Sequence, residues 1–215
     1  MITIKKFVCN MLQENCYVVS DDTGEAVVID CGALYEEERA AIVSYIRAQQ
    51  LTPRHLLCTH GHFDHVIGNN TIEQEYGLKP EIALADQWLI EDVGGQFVSM
   101  IGMRYDADVP PVGKYLSPHE VVSFGTHSLT VLPTPGHTPG SVLFYCQDEG
   151  IVFSGDTLFR MSIGRTDFER GSWEDMMKSL QEVVAQLPAD TKVYCGHGPE
   201  TTIAEELRMN PYLRS

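Results

Sequence analysis

The sequence predicts an α+β fold in which two β-sheets are covered on their outer faces by helices. Short strand-like runs come in groups separated by amphipathic stretches, and the alternation is too irregular for a simple parallel sheet. At 215 residues the chain can bury one sizeable core, while two independent domains would be cramped, so residues 1–215 are read as a single domain. The residues able to do chemistry fall just beyond predicted strands, where one rim of a two-sheet stack can gather them.

The elements follow in order. Ile2–Val8, Cys16–Ser20 and Glu25–Ile29 read as strands, the last two joined by the turn Asp21-Asp22-Thr23-Gly24. A helix from Glu36 to Gln49 ends before Pro53. His55–Cys58 is a brief apolar strand that runs into Thr59-His60-Gly61-His62-Phe63-Asp64-His65. A helix over His65–Tyr76 closes at Gly77, a common helix terminator. Glu81–Leu84 is a strand and Asp86–Asp92 a short helix. Gly94–Pro118 carries Gly, Pro, Met and Tyr without a steady period and reads as a long ordered loop.

Strands follow at Glu120–Val122, Ser128–Leu132, Val142–Cys146 and Ile151–Phe153. Trp173, Met176, Met177, Leu180, Val183, Val184 and Leu187 recur at three and four, the stripe of a helix with one buried face. Ser172 with Asp175 resembles a capping box at its start. Lys192–Cys195 is the last strand and Thr201–Met209 the last helix.

Composition narrows the function. A formal charge of −15 argues against a nucleic-acid partner, because binding phosphates needs clustered Lys and Arg. The N-terminus lacks the apolar run and small-residue cleavage site of a signal peptide, and no segment is long enough to span a bilayer. Six scattered cysteines (Cys9, Cys16, Cys31, Cys58, Cys146, Cys195) contain no Cys-x-x-Cys pair. They read as reduced, mostly buried thiols of a cytoplasmic protein without nucleic-acid or membrane partners.

Four segments concentrate candidate ligands: His60-x-His62-x-Asp64-His65, Gly136-His137, Gly155-Asp156 and Gly196-His197. His60 and His62 alternate in an extended chain, so both imidazoles face one side and can meet one ion. Asp64 and His65 lie where the chain turns into a helix and face a neighbouring position. Glycine beside His137, Asp156 and His197 permits sharp turns. Imidazole and carboxylate without thiolate suit zinc, iron or manganese, and the carboxylate of Asp156 can bridge a pair of ions. His55, His119 and His127 stand apart and read as ordinary surface or core histidines.

Thr59-His60-Gly61-His62-Phe63-Asp64-His65, followed in order by Gly-His, Gly-Asp and Gly-His, resembles the metallo-β-lactamase superfamily over essentially the whole chain, including Asp30 after the Val27–Ile29 strand. The resemblance implies an αββα sandwich of two mixed sheets with two metals at one edge. It implies that His60, His62 and His137 hold one divalent ion and Asp64, His65 and His197 the other, with Asp156 bridging. Asp30 is implied to orient an imidazole by hydrogen bonding.

Gly155-Asp156-Thr157-Leu158-Phe159, Gly164-Arg165-Thr166-Asp167-Phe168 and Val193-Tyr194-Cys195-Gly196-His197-Gly198 are similar to the glyoxalase II group, in its short bacterial form. Those hydroxyacylglutathione hydrolases cleave S-lactoylglutathione to lactate and glutathione. The resemblance implies a thioesterase acting on a small glutathione thioester, in which Arg165 contacts substrate. A hydroxide held between two ions, most simply zinc, would attack, with Asp64 and Asp156 taking part. Two departures stand out. Only Gly198–Ser215 follows His197, so the C-terminal glutathione-binding region of longer members is absent, and Gly198-Pro199-Glu200 offers no aromatic contact. Tyr105, Lys114 or Tyr115 of the 94–118 segment could supply replacements.

The alternative within this resemblance is a persulfide dioxygenase, a related family that shares Gly-Arg-Thr-Asp-Phe and uses one iron on the counterparts of His60, His137 and Asp156. True β-lactamases generally carry cysteine or histidine where this chain has Asp156. A non-enzymatic metal-binding module is the reading from a different class, opposed by a ligand set too sparse to close both coordination shells. The expected assembly is a monomer or small homo-oligomer.

Overall fold

Period-two alternation over the first thirty residues builds an antiparallel meander of β1 (Ile2–Cys9), β2 (Glu14–Asp21) and β3 (Glu25–Ile29). This computed structural model describes residues 1–105 and 109–214. β2 is buried along its whole length because it is covered on both faces. Tyr17 and Val19 point toward the second sheet, while Cys16 and Val18 point toward a helix. That helix, α1 (Glu36–Ala48), has Glu36, Glu37 and Glu38 in its first turn, where acidic side chains complement the helix dipole. It packs Ile42 and Ile46 onto the outer face of the sheet.

β4 (Thr52–Leu57), β5 (Pro80–Ala83) and β6 (Lys114–Leu116) add in parallel, giving the order β1-β2-β3-β4-β5-β6. The helix read over His65–Tyr76 is instead two helices, α2 (Phe63–Val66) and α3 (Asn69–Tyr76). The break falls at Gly68, where a Cβ would lie 2.8 Å from the Ala33 backbone: the chain presses against a neighbouring loop and cannot carry a side chain there. Gly77 does close α3, in the left-handed conformation. The short helix after β5 is a 3-10 turn leading into α4 (Gln87–Glu91).

The segment 94–118 is not a long loop. It opens with α5 (Val93–Ile101), which buries Val93 and Phe97, and it contains β6; its residues 106–108 lie outside the described residues. Two glycines and a β-branched start masked the helical period in sequence, and burial of Phe97 against Phe63 and Tyr105 supplies what propensity lacks.

The second sheet runs β14-β13-β10-β9-β8-β7. Its strands are β7 (Val121–Phe124), β8 (His127–Pro133), β9 (Val142–Cys146), β10 (Ile151–Gly155), β13 (Lys192–Cys195) and β14 (Thr201–Thr202). The small hairpin β11 (Leu158–Phe159) and β12 (Ser162–Ile163) stands beside it. Parallel pairing of β10 with β13 amid antiparallel neighbours makes this sheet mixed too. Between the sheets lie Tyr17, Val27, Ile29 and Leu57 against Val131, Phe144, Phe153 and Tyr194.

α6 (Trp173–Glu182) and α7 (Ile203–Met209) cover the far face with Met176, Leu180 and Ile203. The Ser172 hydroxyl accepts from the Asp175 N–H and caps α6, which ends at Glu182 before a 3-10 turn rather than continuing to Leu187. The order helix, sheet, sheet, helix is the sandwich that the sequence resemblance implied. All six cysteines are free and buried. Among the described residues no helix is long and apolar enough to cross a membrane.

Candidate metal centre

All four ligand segments meet at one rim of the two sheets. β4 stops at Leu57, and the next residues bend rather than stay extended, so the same-side alternation expected for His60 and His62 is produced by a bend. α2 then carries Asp64 and His65 into the same space. His137 follows β8, Asp156 follows β10 and His197 follows β13. Gly155 sits at φ +47° and Gly136 at φ +145°, the left-handed conformations that turn the chain off each strand. Gly196 is needed for a different reason: a Cβ there would lie 2.3 Å from Asp156 Oδ1.

The side chains form two adjoining groups. One donor atom each from His60, His62 and His137 lie within 4.8 Å of one another, as do donors from Asp64, His65 and His197. Asp156 faces both: its Oδ1 is 3.3 Å from His65 Nε2, and its Oδ2 is 3.5 Å from His137 Nε2 and 3.6 Å from His197 Nε2. Within the groups, His62 Nδ1 approaches His137 Nε2 to 2.9 Å and His197 Nε2 approaches Asp64 Oδ2 to 3.2 Å.

Four of the five imidazoles are aimed through their other nitrogen. His65 Nδ1 contacts Asp30 Oδ2 at 3.0 Å, His137 Nδ1 donates to the Arg165 carbonyl at 2.7 Å, and His197 Nδ1 donates to the Leu12 carbonyl at 3.0 Å. His60 Nδ1 meets the Thr59 hydroxyl at 3.1 Å, and that hydroxyl also contacts Asp30. Such partners fix tautomer and ring orientation. Asp30 itself is held at φ +50° and takes the Thr59 N–H at 2.7 Å.

The electrostatics fit cations. Burial, reinforced by the neighbouring imidazoles, lowers His60 well below the usual histidine range and brings His62 down to about 3, so both rings are neutral and able to donate lone pairs. Burial also disfavours charge on Asp64, Asp156 and His65, but the mutual attraction of acids and imidazole outweighs it, holding both carboxyls low and His65 high. Among the described residues, His60 Nε2 and Asp156 Oδ1 are buried without any hydrogen-bond partner. Unpartnered buried donors and acceptors are costly, and imidazole nitrogens and carboxylate oxygens converging at these spacings are the donor set a divalent cation requires. The residues present fit two such ions.

Beside them lies a cleft of about 470 Å³ lined by His62, Asp64, His137, Asp156 and His197 together with Leu12, Met100, Phe159, Ile163, Arg165 and Phe168. The Arg165 guanidinium stacks on Phe168 at 4.1 Å and holds Asp167 through two bonds of 2.6 and 2.7 Å. Phe168 meets His62 edge-on, and Phe159 of β11 does the same to His197. Tyr105, Lys114 and Tyr115 do not reach this cleft. Tyr105 stacks on Phe97 and accepts from Arg39, Lys114 pairs with Glu81 and Glu120, and Tyr115 lines a separate hollow. The segment contributes Met100 instead. His55, His119 and His127 stand outside the ligand groups.

The family model described as Metallo-beta-lactamase superfamily matches residues 9–197. The chain is 34% identical over 204 residues to "Hydroxyacylglutathione hydrolase GloC" of Haemophilus influenzae, covering 94% of each. It is similar in structure to BLEG-1, described as a B3 metallo-beta-lactamase, with TM-score 0.91 and 33% identity over 99% of this chain and 100% of that one. TTHA1623, solved in a di-iron-bound form, gives TM-score 0.85 and 33% identity, covering 97% of this chain and all of that one.

Proposed function

The chain belongs to the metallo-beta-lactamase superfamily, a group of generally hydrolytic metalloenzymes, and from that premise we propose that it is a hydroxyacylglutathione hydrolase. The observation that carries this reading is the joining of the ligand cluster to a cleft with apolar walls and a single arginine at its rim. GloC, whose printed name is that activity, is matched over 94% of its own length by 94% of this chain.

His60, His62 and His137 would hold one divalent cation, Asp64, His65 and His197 the other, and Asp156 would face both. When bound, the two ions lower the pKa of a water and polarise an acyl carbonyl. Zinc, iron and manganese all suit the donors, and the relative with di-iron shows that iron is accepted by a similar chain.

The protein's own residues bind and orient the substrate. Leu12, Met100, Phe159 and Ile163 wall the cleft and exclude water from the acyl group. Arg165, pre-set by Asp167 and Phe168, presents a planar cation to a carboxylate on the thiol portion. Asp64, beside His197, would orient the attacking water and accept its proton. Water oxygen adds to the acyl carbon, the carbon–sulfur bond breaks, and sulfur leaves as thiolate. An ordinary thiol pKa near 8.5 makes that departure easy without a general acid.

A second reading, β-lactam hydrolysis, is favoured by the TM-score of 0.91 to BLEG-1. The same test separates both from the iron dioxygenase alternative: purified protein, analysed for metal, is assayed with S-lactoylglutathione, with a cephalosporin, and for oxygen uptake with glutathione persulfide. Release of glutathione from the thioester with two metals per chain is expected. Oxygen uptake with one iron, or cephalosporin turnover without thioester cleavage, would replace the proposal.

A further inference from the structure

Asp86 is 0% exposed, lies just ahead of α4 and belongs to neither ligand group. Its carboxylate is nevertheless fully engaged. Oδ2 accepts from the Gly61 N–H at 2.9 Å and from the Thr138 hydroxyl at 2.7 Å, and Oδ1 accepts from the Gly140 N–H at 2.7 Å. Gly61 stands between His60 and His62, and Thr138 follows His137. One carboxylate therefore ties together the two loops that supply all three histidines of one group, loops separated by 75 residues between His62 and His137.

The surroundings are shaped to admit it. A Cβ on Gly140 would lie 2.6 Å from the Asp86 carboxyl carbon, and one on Gly61 would lie 2.6 Å from Leu89 Cβ and 3.1 Å from the Asp86 carbonyl. Both loops thus approach closely because they lack side chains where Asp86 and α4 press on them. Gln96 of α5 secures the other side of His62, its Oε1 accepting from the Phe63 N–H at 3.0 Å and its Nε2 donating to the Gly61 and Leu89 carbonyls. Asp30 has no part in this bracket. It contacts Thr59 and His65, and so serves His60 and the other group.

We propose that Asp86 is a positioning residue that sets the spacing of His62 from His137 and thereby the affinity of the cation site they form with His60. The inference rests on reading these histidines as cation ligands and is independent of which substrate is cleaved. A carboxylate is required because all three partners donate. An amide in its place turns a donor toward at least one of them, pushing the two loops apart.

The test is cobalt(II) binding to the purified full chain, metal-stripped and titrated in competition with a chelator of known affinity, with visible absorption distinguishing the two sites. Wild type is expected to take up two equivalents. Asp86→Asn is expected to weaken one equivalent by about 10–100-fold, the usual cost of losing a partner behind a ligand, while the other keeps its wild-type affinity and the near-UV circular dichroism is unchanged. Should Asp86→Asn fail to fold, Thr138→Val removes one of the three bonds with little change of shape, and the same one-site weakening is expected in smaller degree. Two equivalents bound with wild-type affinity, or equal weakening of both, would overturn the role assigned to Asp86. A wild-type chain that binds no cobalt would instead overturn the ligand reading beneath it.

Discussion

His65 and Asp30 share a buried contact of 3.0 Å between Nδ1 and Oδ2, and it leaves the His65 Nε2 free to face Asp64 and Asp156. Because Asp30 also takes both donors of Thr59, whose hydroxyl steadies His60, one carboxylate reaches both ligand groups. Asp30→Asn retains the shape and tolerates the left-handed backbone, yet replaces one acceptor by a donor. Metal affinity is expected to fall by about 10–100-fold at both sites, in contrast to the one-site loss expected at Asp86. Competition with a chelator measures it; unchanged affinity would refute the contact's importance.

Gly164 makes a closer approach than any side chain could. A Cβ there would lie 1.8 Å from the Asp156 carbonyl and 3.1 Å from His137 Nδ1. Gly164→Ala must therefore move backbone beside two ligands. A stability loss of about 1–3 kcal/mol, the typical cost of overpacking, should come with reduced metal content. Thermal unfolding and elemental analysis of the same sample report both.

Arg165 and Asp167 form an exposed ion pair, with side chains 58% and 68% accessible, and such pairs add little to stability. Arg165→Gln should leave Tm unchanged. If the guanidinium meets a substrate carboxylate, KM for S-lactoylglutathione should rise about 10-fold, equivalent to ~1.4 kcal/mol, with kcat nearly constant. A fall in kcat alone would contradict a binding role.

Metal removal should abolish hydrolysis and also destabilise the fold. A ligand present at about 100 times its Kd adds about 2.7 kcal/mol, and for a chain of this size each kcal/mol shifts Tm by about 2–4 °C. Treatment with EDTA should lower Tm by about 5–10 °C, and restored zinc or iron should recover both Tm and activity. Equal Tm with and without chelator would show that the cluster binds nothing tightly.

Far from this centre, His127 Nδ1 meets Asp21 at 3.0 Å and its Nε2 meets Glu149 at 2.9 Å. The hydrogen bond to Asp21 raises the imidazole above its ordinary 6.5, more than burial lowers it. A raised folded pKa means the stabilisation is complete below pH 6.5 and is lost as pH rises through the folded value. Wild type should therefore lose about 1 kcal/mol relative to His127→Gln between pH 6 and 9. Parallel Tm curves for the two proteins across that range would refute the linkage.

How much was legible in the sequence divides along physical lines. Local patterns were sufficient where a residue's environment is set by its neighbours in the chain. Glu25–Ile29, Val142–Cys146 and Lys192–Cys195 appear with the limits read from their apolar runs, because a strand buried on both faces must be continuously apolar. The ligand motifs were visible because donors of that kind are rarely so dense, and glycines beside them marked turns that the backbone indeed makes at Gly136 and Gly155.

Tertiary structure decided the rest, because distance along the chain says nothing of contact across it. α5 formed despite Gly94 and Gly95 since Phe97 found Phe63 and Tyr105 to pack on, and propensity yields to burial. Asp86 read only as the first residue of a short helix, and only the fold brought Gly61, Thr138 and Gly140 to its two oxygens. The sequence by itself thus determined which atoms were available to hold cations and that two sheets would carry them. The packing of helices onto the rim determined how those atoms are spaced.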